Sequence, residues 1–380
     1  MSIRILLVGI GGYASTYVNP LLNGEREDCV IVGCADPFPN SCRRLEEIKE
    51  RGIPVFSDMK EFFDAGLTAD LAVITTPIHL HASQIKLALA NGCHVLCEKP
   101  LCGDIRDIPS LIEARDKAGK YVGIGYQWSH SEAILNLKAD ILAGMYGKPK
   151  LLKTLVLWPR AFKYYKRGCG WAGKIKNEDG ALILDSVANN ATAHYLHNIL
   201  FTLGETMDTS LEPTEIKAVL RRANNIENYD TCALEMNFAN GARGLYLVTH
   251  ASKELQNPIF DYEFENGHIY FEDGEEAKTI RGVLNDGTVK IYGDPFGGKC
   301  VKLWRAADAV LDPTIKPFCG IETATPHTNT IARVQEFGVE NFAADQIKLL
   351  EDESGVYVPG LGDALRACYE SGKMWDGTIE

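Results

Sequence analysis

The chain has no apolar stretch approaching the ~20 residues that a membrane-spanning helix needs, so no transmembrane helix is expected. Its opening apolar run, Ile3–Val8, is short, flows into glycines and has no small-residue cleavage site. A secretory leader is therefore not expected. The 11 cysteines include no Cys-x-x-Cys pair. Cys93, Cys97 and Cys102 lie close together but lack the histidines and spacing of a zinc centre, so no metal site is expected. An odd number of scattered cysteines reads as reduced, mostly buried thiols in a cytoplasmic protein. Positive charge is in deficit, with 39 Lys and Arg against 51 Asp and Glu, a net charge of −12. That balance argues against a nucleic-acid surface, which needs a basic patch. Internal repeats and low-complexity segments are also missing.

What is present begins at the amino end. Ile-Arg-Ile-Leu-Leu-Val runs into Gly9-Ile-Gly11-Gly12-Tyr13-Ala14, and a second apolar run, Cys29–Ala35, ends in Asp36. A buried strand, a glycine turn and a helix follow one another here. Gly9 permits the tight turn, Gly11 lets backbone approach a pyrophosphate, and Ala14 lets the helix pack close to the sheet. Phosphates would sit at the helix N-terminus, where N–H groups and the dipole favour anions. An acid at the end of the second strand binds ribose hydroxyls and repels a 2′-phosphate. Asp36 therefore favours NAD over NADP, while nearby Arg43 and Arg44 would suit the phosphate of NADP.

At 380 residues the chain exceeds a usual single domain. Strands are expected at 3–8, 29–35, 70–75, 93–97 and 121–125, with a short one at 54–56. Helices alternate with them at 12–23, 40–51, 58–65, 79–91 and 107–118. This is the order of a doubly wound parallel sheet. After Tyr126 come a helix at 130–143 and long strands at 150–158, 214–222, 230–238 and 242–250, the last two joined by Ala239-Asn240-Gly241. Short strands are expected at 259–265, 268–271 and 288–292, and helices at 187–203, 327–345 and 361–373. The fold class is α/β: an N-terminal Rossmann doubly wound parallel sheet plus an α+β domain with a large, mostly antiparallel sheet. The boundaries read as 1–126 for dinucleotide binding, 127–326 for substrate and oligomerisation, and 327–380 for a helical segment packing back.

Thr75-Thr76-Pro77-Ile78-His79-Leu80-His81 precedes a helix, then Gly92-Cys93-His94-Val95-Leu96-Cys97-Glu98-Lys99-Pro100-Leu101 follows. With the glycine turn, these motifs resemble the Gfo/Idh/MocA family of glucose–fructose oxidoreductase and inositol dehydrogenase relatives. The resemblance covers the first third of the chain closely and the rest loosely. It implies NAD(P)-linked oxidation of sugars, inositols and related alcohols, and homodimers or homotetramers formed through the large sheet. It places Thr75, Thr76, Pro77, His81, Glu98 and Lys99 at the cofactor, with Lys99 beside the nicotinamide and the reacting hydroxyl. A lysine desolvated in a cleft has a lowered pKa and relays the hydroxyl proton or steadies alkoxide charge. The step into Pro100 favours a cis bond.

The family pattern also carries an Asp and a His four residues apart. Asp185 matches the Asp, but Asn189 stands where the His belongs. An amide binds a hydroxyl but is no general base. The proton relay then rests on Lys99 or on His194, which is expected to share a helix face with Asn190. His197, one turn on, reads as an interior or interface histidine. Tyr126 and Gln127 occupy the crossover, where the family's usual pair is altered. His327 opens the last helical region and could reach the site.

The segment from Trp158 to Lys174 should form a loop rich in aromatic rings and cations. Trp158, Tyr164 and Trp171 suit the C–H face of a sugar, and Arg160 suits hydroxyls or a carboxylate. The same residues also suit a subunit contact. The expected partner is a small carbohydrate, with no nucleic acid and no membrane. Three activities fit: an NAD-dependent dehydrogenase, an NAD-dependent glycosidase working by transient oxidation and elimination, or a non-catalytic NAD- and sugar-binding regulator.

Overall fold

The computed structural model describes residues 2–167, 170–272, 278–298 and 300–379. The chain begins β1 (Ile3–Val8), α1 (Ser15–Leu22), β2 (Cys29–Ala35), α2 (Leu45–Glu50), β3 (Val55–Phe56), α3 (Met59–Asp64), β4 (Leu71–Ile74), α4 (His81–Ala90), β5 (His94–Cys97), α5 (Ile108–Ala118) and β6 (Val122–Ile124). It continues α6 (Glu132–Leu142), β7 (Pro149–Leu157), α7 (Phe162–Tyr165), α8 (Ala193–Thr202), β8 (Glu215–Arg222), β9 (Thr231–Asn237), β10 (Arg243–Thr249), β11 (Gln256–Phe264), β12 (Gly267–Glu272), β13 (Ile280–Leu284) and β14 (Val289–Gly293). It ends α9 (Val301–Leu311), α10 (Ile321–Val334), β15 (Glu340–Asn341) and α11 (Leu361–Ser371), with two short strands before α11.

Two compact units result: Met1–His130 with Gly298–Ala324, and Ser131–Gly297 with Thr325–Glu380. In the first, six strands among the described residues form a sheet in the order β3-β2-β1-β4-β5-β6. Every neighbouring pair in it is parallel. The short runs Leu-Ala-Val-Ile of β4 and His-Val-Leu-Cys of β5 are buried throughout, as expected of strands covered on both faces. Strand order reverses between β1 and β4, the place where such sheets bind ligands at their carboxyl ends.

Register then aligns the residues that follow each strand. Val8 pairs with Ala35 and Ile74, Ile74 with Cys97, and Cys97 with Ile124. The next residues, Asp36, Gly9, Thr75, Glu98 and Gly125, therefore form a row along the carboxyl edge. Backbone bonds hold the row: Gly9 N–H to Ala35 O at 2.7 Å, Thr75 N–H to Val8 O at 2.8 Å, Glu98 N–H to Ile74 O at 2.8 Å and Gly125 N–H to Cys97 O at 2.7 Å.

In the second unit, nine strands among the described residues order as β14-β13-β12-β11-β7-β10-β9-β8-β15. Two pairings, β7–β10 and β8–β15, are parallel and the others antiparallel. Alternation sets the faces: in β11, Phe260, Tyr262 and Phe264 are buried while Glu263 is exposed. Leu155, Leu157, Ala233, Leu245 and Leu247 pack with Leu361 and Leu365 of α11, Phe342 and Trp375. Gly241 turns the β9–β10 hairpin at φ +84°.

Several expectations are corrected. The segment 298–324 belongs with the first unit rather than with 127–326. The cause is α9, an amphipathic helix whose Leu303, Ala306, Ala307 and Ala309 join the core of Ile5, Leu7 and Tyr17. Neither α9 nor β13 is among the elements expected from the sequence. The helix expected at 327–345 is instead α10, which starts earlier, ends at Val334, passes through a short 3₁₀ turn and meets β15 after Gly338 at φ +75°. The single helix expected at 187–203 is broken. A π-turn spans Val187–Ala191, and α8 starts only at Ala193. The Ser186 hydroxyl accepts from Asn189 N–H at 3.1 Å, and the Thr192 hydroxyl donates to Val187 O at 2.6 Å. Such short-range side-chain bonds compete with a regular helix.

One turn below α8 gives a stability test. A Cβ at Gly204 would stand 2.0 Å from the Thr209 carbonyl oxygen, and that oxygen accepts from Lys138 Nζ at 2.6 Å. Gly204→Ala should cost roughly 1–3 kcal/mol, the range for overpacking, read as a lower urea midpoint. An unchanged midpoint contradicts this packing.

Candidate active site

The carboxyl edge of the first sheet is built around closely packed glycines. Gly9 has φ +80°, and a Cβ there would meet Thr75 Oγ1 at 2.8 Å. The Thr75 hydroxyl donates to Gly9 O at 2.9 Å, which clamps the turn between β1 and β4. At Gly11 a Cβ would stand 2.0 Å from Ser41 Oγ. Gly12 follows at φ +57°, and Ala14 is buried beneath the turn. Asp36 accepts from Ile10 N–H at 2.8 Å with one oxygen and from Phe38 N–H at 2.8 Å with the other. A carboxylate has about four acceptor positions, so about two remain for hydroxyls. The Arg44 guanidinium is bound to Glu47 at 2.7 and 2.8 Å and to Asn23 at 2.7 Å, so it is not free for a phosphate.

The next residue along the edge is a buried ion pair that the sequence did not announce. Glu98 accepts from Lys302 of α9 and from the Tyr17 hydroxyl on the same oxygen. Lys302 also donates to Gly125 O and to the Tyr13 hydroxyl, each at 3.2 Å. Its ammonium stands 5.2 Å from the Tyr13 ring centre and 5.5 Å from that of Tyr17. Burial pushes the Glu98 carboxyl up, but the charge and hydrogen bond of Lys302, the Tyr17 hydroxyl and the charge of Lys99 outweigh it. The net direction is below the ordinary value. For Lys302, burial pulls down, and Glu98 more than restores it, so the amine is held above its ordinary value. Both shifts favour the charged pair.

Lys99 follows on the same strand end. It is half-buried, and its N–H donates to Glu98 Oε2 at 3.3 Å. The Lys99–Pro100 bond is cis. His81 is occupied structurally: Nδ1 lies 2.7 Å from Pro100 O and Nε2 lies 2.9 Å from Thr76 O. It ties the loop after β4 to the loop after β5. Burial holds its pKa below the ordinary value against the pull of those two carbonyls. The Thr76 hydroxyl bonds Gln84, and Pro77 precedes the short 3₁₀ turn Ile78–Leu80. Tyr126 is fully buried and Gln127 is half-buried.

In the second unit, Asp185 lies before the π-turn rather than on a helix. Its carboxylate accepts from Gly173 N–H at 2.6 Å and from the Asn190 amide at 2.7 Å. It thereby joins the end of the aromatic loop to the turn that carries Asn189 and Asn190. Asn189 is 2% exposed, and its amide donates to Leu184 O at 3.0 Å. The expected common face of Asn190 and His194 is not formed, because the helix breaks between them at Thr192. His194 is half-buried, its ring 6.4 Å from Tyr195. Tyr195 in turn meets Trp158 edge-on at 5.7 Å. His197 stacks on Phe201 at 5.8 Å and meets His327 at 6.4 Å, both histidines fully buried in the interior.

The loop after β7 gathers the expected aromatic and basic residues. Arg160 lies 5.2 Å from the Trp158 ring centre and 4.9 Å from that of Tyr164. Arg167, absent from the sequence-based candidates, lies 3.6 Å from Tyr164 and 5.0 Å from Trp171. Gly168 and Cys169 within this loop lie outside the described residues. Ten cysteines are described and all are free thiols. Among the described residues no group of three or more His, Cys, Asp and Glu could hold a metal, and no helix is long and apolar enough to cross a membrane.

Residues 3–126 match the family model described as "Oxidoreductase family, NAD-binding Rossmann fold", Gfo/Idh/MocA. The chain is 31% identical over 152 residues to 1-carboxy-3-chloro-3,4-dihydroxycyclo hexa-1,5-diene dehydrogenase of Comamonas testosteroni, covering 40% of this chain and 37% of that protein. It is 28% identical over 151 residues to inositol 2-dehydrogenase 4 of Saccharopolyspora erythraea, covering 40% of this chain and 44% of that one. The matches thus span less than half the length of these relatives. Among solved structures, the WlbA dehydrogenase of Chromobacterium violaceum, in complex with NADH and UDP-GlcNAcA, superposes with a TM-score of 0.74 at 20% identity. That alignment covers 88% of this chain and 93% of the other, a likeness of fold.

The Glu98–Lys302 pair generates a prediction. Lys302→Met leaves a buried carboxylate without its counter-charge and should cost about 3–5 kcal/mol. Adding Glu98→Gln should recover much of that loss. In the intact protein the pair's contribution is full between the unfolded-state values of about 4.3 for Glu and about 10.4 for Lys. It fades as pH falls through the lower, folded value of Glu98, or rises through the higher, folded value of Lys302. Melting temperatures against pH measure it; equal stability of wild type and Lys302→Met at pH 7 contradicts it.

Proposed function

We propose that this chain, whose residues 3–126 match the Gfo/Idh/MocA oxidoreductase model, is an NAD-dependent oxidoreductase acting on a secondary hydroxyl of a sugar, sugar acid, polyol or glycoside. One observation carries the reading. A single sheet edge presents the glycine turn after β1, the half-satisfied carboxylate of Asp36 and the half-buried Lys99 in adjacent register.

The residues present fit the dinucleotide. Gly11 and Gly12 leave backbone bare where a pyrophosphate approaches, and Asp36 keeps acceptor positions for ribose hydroxyls. Asp36 together with the committed Arg44 supports NAD over NADP. Thr75, His81 and Glu98 fix the loops of this edge and stand at the cofactor in this reading. When bound, NAD supplies the hydride acceptor. Lys99 Nζ takes the hydroxyl proton as the carbonyl forms. Asp185, Asn190 and His194 bind substrate hydroxyls, and His194 is the second proton-exchanging group in this reading. Asn189, engaged by Leu184, contributes through the shape of its turn. Trp158, Arg160, Tyr164 and Trp171 form the saccharide surface. Assembly into a homodimer or homotetramer through the nine-stranded sheet belongs to the same reading.

Lys99→Met should keep NAD affinity within about twofold while turnover falls by roughly 10²–10⁴, the usual worth of a positioned acid–base group. Fluorescence titration with NAD and the rate of NADH formation over a sugar panel measure the two. Wild-type turnover in the variant contradicts the role. Turnover without stoichiometric NADH would point instead to the redox-neutral glycosidase route.

A further inference from the structure

The loop from Trp158 to Lys174 contains five cations, Arg160, Lys163, Lys166, Arg167 and Lys174, and no acid, in a chain whose net charge is −12. Several arginines elsewhere are neutralised in place. Arg4 pairs with Asp70, Arg26 with Asp28 and Asp308, Arg115 with Asp116 and Glu322, and Arg243 with Glu235. Arg160 and Arg167 are not neutralised in this way, and they are clustered on one ring. Among the described residues neither has a carboxylate within ion-pair distance. Arg167 donates to the Tyr164 carbonyl at 2.9 Å. Arg160 Nε is buried and has no hydrogen-bond partner among the described residues. A buried donor left in that state calls for an explanation, because it forfeits its hydration without a replacement.

The surroundings hold these cations in position without discharging them. Both guanidiniums lie within 5 Å of the Tyr164 ring centre, at 4.9 and 3.6 Å, with Trp158 and Trp171 as outer neighbours. Aromatic faces attract a cation yet leave its in-plane N–H groups open. Lys163 and Lys166 are exposed and add to the local field. His250 meets Tyr164 edge-on at 5.5 Å. Its Nδ1 lies 2.8 Å from Trp158 O, a group that only accepts, so Nδ1 carries the proton and Nε2 keeps a lone pair. Burial and the charge of Arg160 push its pKa down to about 3, so the ring adds no competing charge. The nearby carboxylate, Asp185, is engaged by Gly173 and Asn190.

We propose that Arg160 and Arg167 form a subsite for an oxyanion, a carboxylate or a phosphate, carried by the saccharide substrate, so that this protein acts on acidic rather than neutral sugars. Planar forked donors match both groups, and such charge-assisted bonds are about twice as strong as neutral ones. The inference rests on the oxidoreductase reading for the saccharide, while the anion site rests only on the loop itself.

The test uses the full-length protein saturated with NAD. D-glucuronate and D-galacturonate supply the carboxylate arm, D-glucose 6-phosphate the phosphate arm, and D-glucose and D-galactose the neutral references. Dissociation constants and NADH formation are measured at low and high salt. The subsite predicts at least tenfold tighter binding of one acidic arm than of its neutral reference, weakening as salt rises. Arg167→Gln and Arg160→Gln should cut that acid-to-neutral preference at least tenfold, and Arg167→Lys should retain part of it. The preference is a ratio within one protein, so a general loss of folding does not imitate the result. Equal affinity for acidic and neutral sugars, or a preference untouched by both substitutions, overturns the subsite. If neutral sugars are then oxidised, the oxidoreductase reading stands alone. Selective acid binding with no hydride transfer to NAD from any sugar sustains the subsite and sinks the oxidoreductase reading instead.

Discussion

A carboxylate removed from water between a lysine and a tyrosine organises the first unit. Glu98 leaves β5 at the carboxyl edge of the sheet, and Lys302 reaches it from α9, far along the chain. Lys302 also bonds Gly125 after β6 and Tyr13 in the glycine turn, and Tyr17 of α1 closes the group. One ammonium therefore ties together the turns after β1, β5 and β6. Isolated buried ion pairs contribute little net stability. Their effect here is specificity: the pair requires α9 to dock in one place and fixes the strand end on which Lys99 stands. A Cβ at Gly125 would come within 2.8 Å of Glu98 Oε1, so the neighbouring strand is shaped to the same charge.

Parallel register does the remaining positioning. Because the strands are short and end level with one another, residues distant in sequence arrive side by side without any contact between their side chains being required. Gly9 and Thr75 are linked directly. Asp36 holds the Ile10 and Phe38 amides and so stiffens both its own turn and the glycine turn. His81 bridges the next two loops. The edge is thus fixed by its own polar residues before any ligand is considered, the condition under which bound groups are held without further ordering cost.

The first sheet was legible in the sequence because its signals are local. Apolar runs of four to seven residues bounded by Gly and Asp define strands, and Gly9, Gly11 and Ala14 each answer a steric demand. The structure adds to Glu98 a bond from Lys302, and nothing near Glu98 in sequence reveals a partner 204 positions away. The signal that existed was Lys302 within Val-Lys-Leu-Trp-Arg-Ala-Ala-Asp-Ala-Val-Leu, a lysine on the apolar side of an amphipathic run. The bonds of His81 to the Pro100 and Thr76 carbonyls are likewise invisible in the sequence. The Asp185–Asn190 segment misled in another way. A spacing of four implies one helical face only in a regular helix, and Ser186 and Thr192 break this one with their own hydroxyls. Arg167 stands in a loop whose cations the sequence shows, but only the structure shows that, among the described residues, no carboxylate lies beside it.

The second unit contrasts with the first in how it handles charge. Around Glu98 the charges are matched and buried; around Tyr164 two guanidiniums are braced by rings and, among the described residues, left unmatched. The first arrangement holds structure, and the second is suited to a ligand. The account as a whole depends on a dinucleotide lying along the carboxyl edge with its reactive ring beside Lys99. A crystal structure of the protein with NAD measures that directly. The account predicts the pyrophosphate over Gly11 and Gly12, a ribose on Asp36 and the nicotinamide next to Lys99 Nζ. A nucleotide bound away from the glycine turn, or a nicotinamide remote from Lys99, would contradict it.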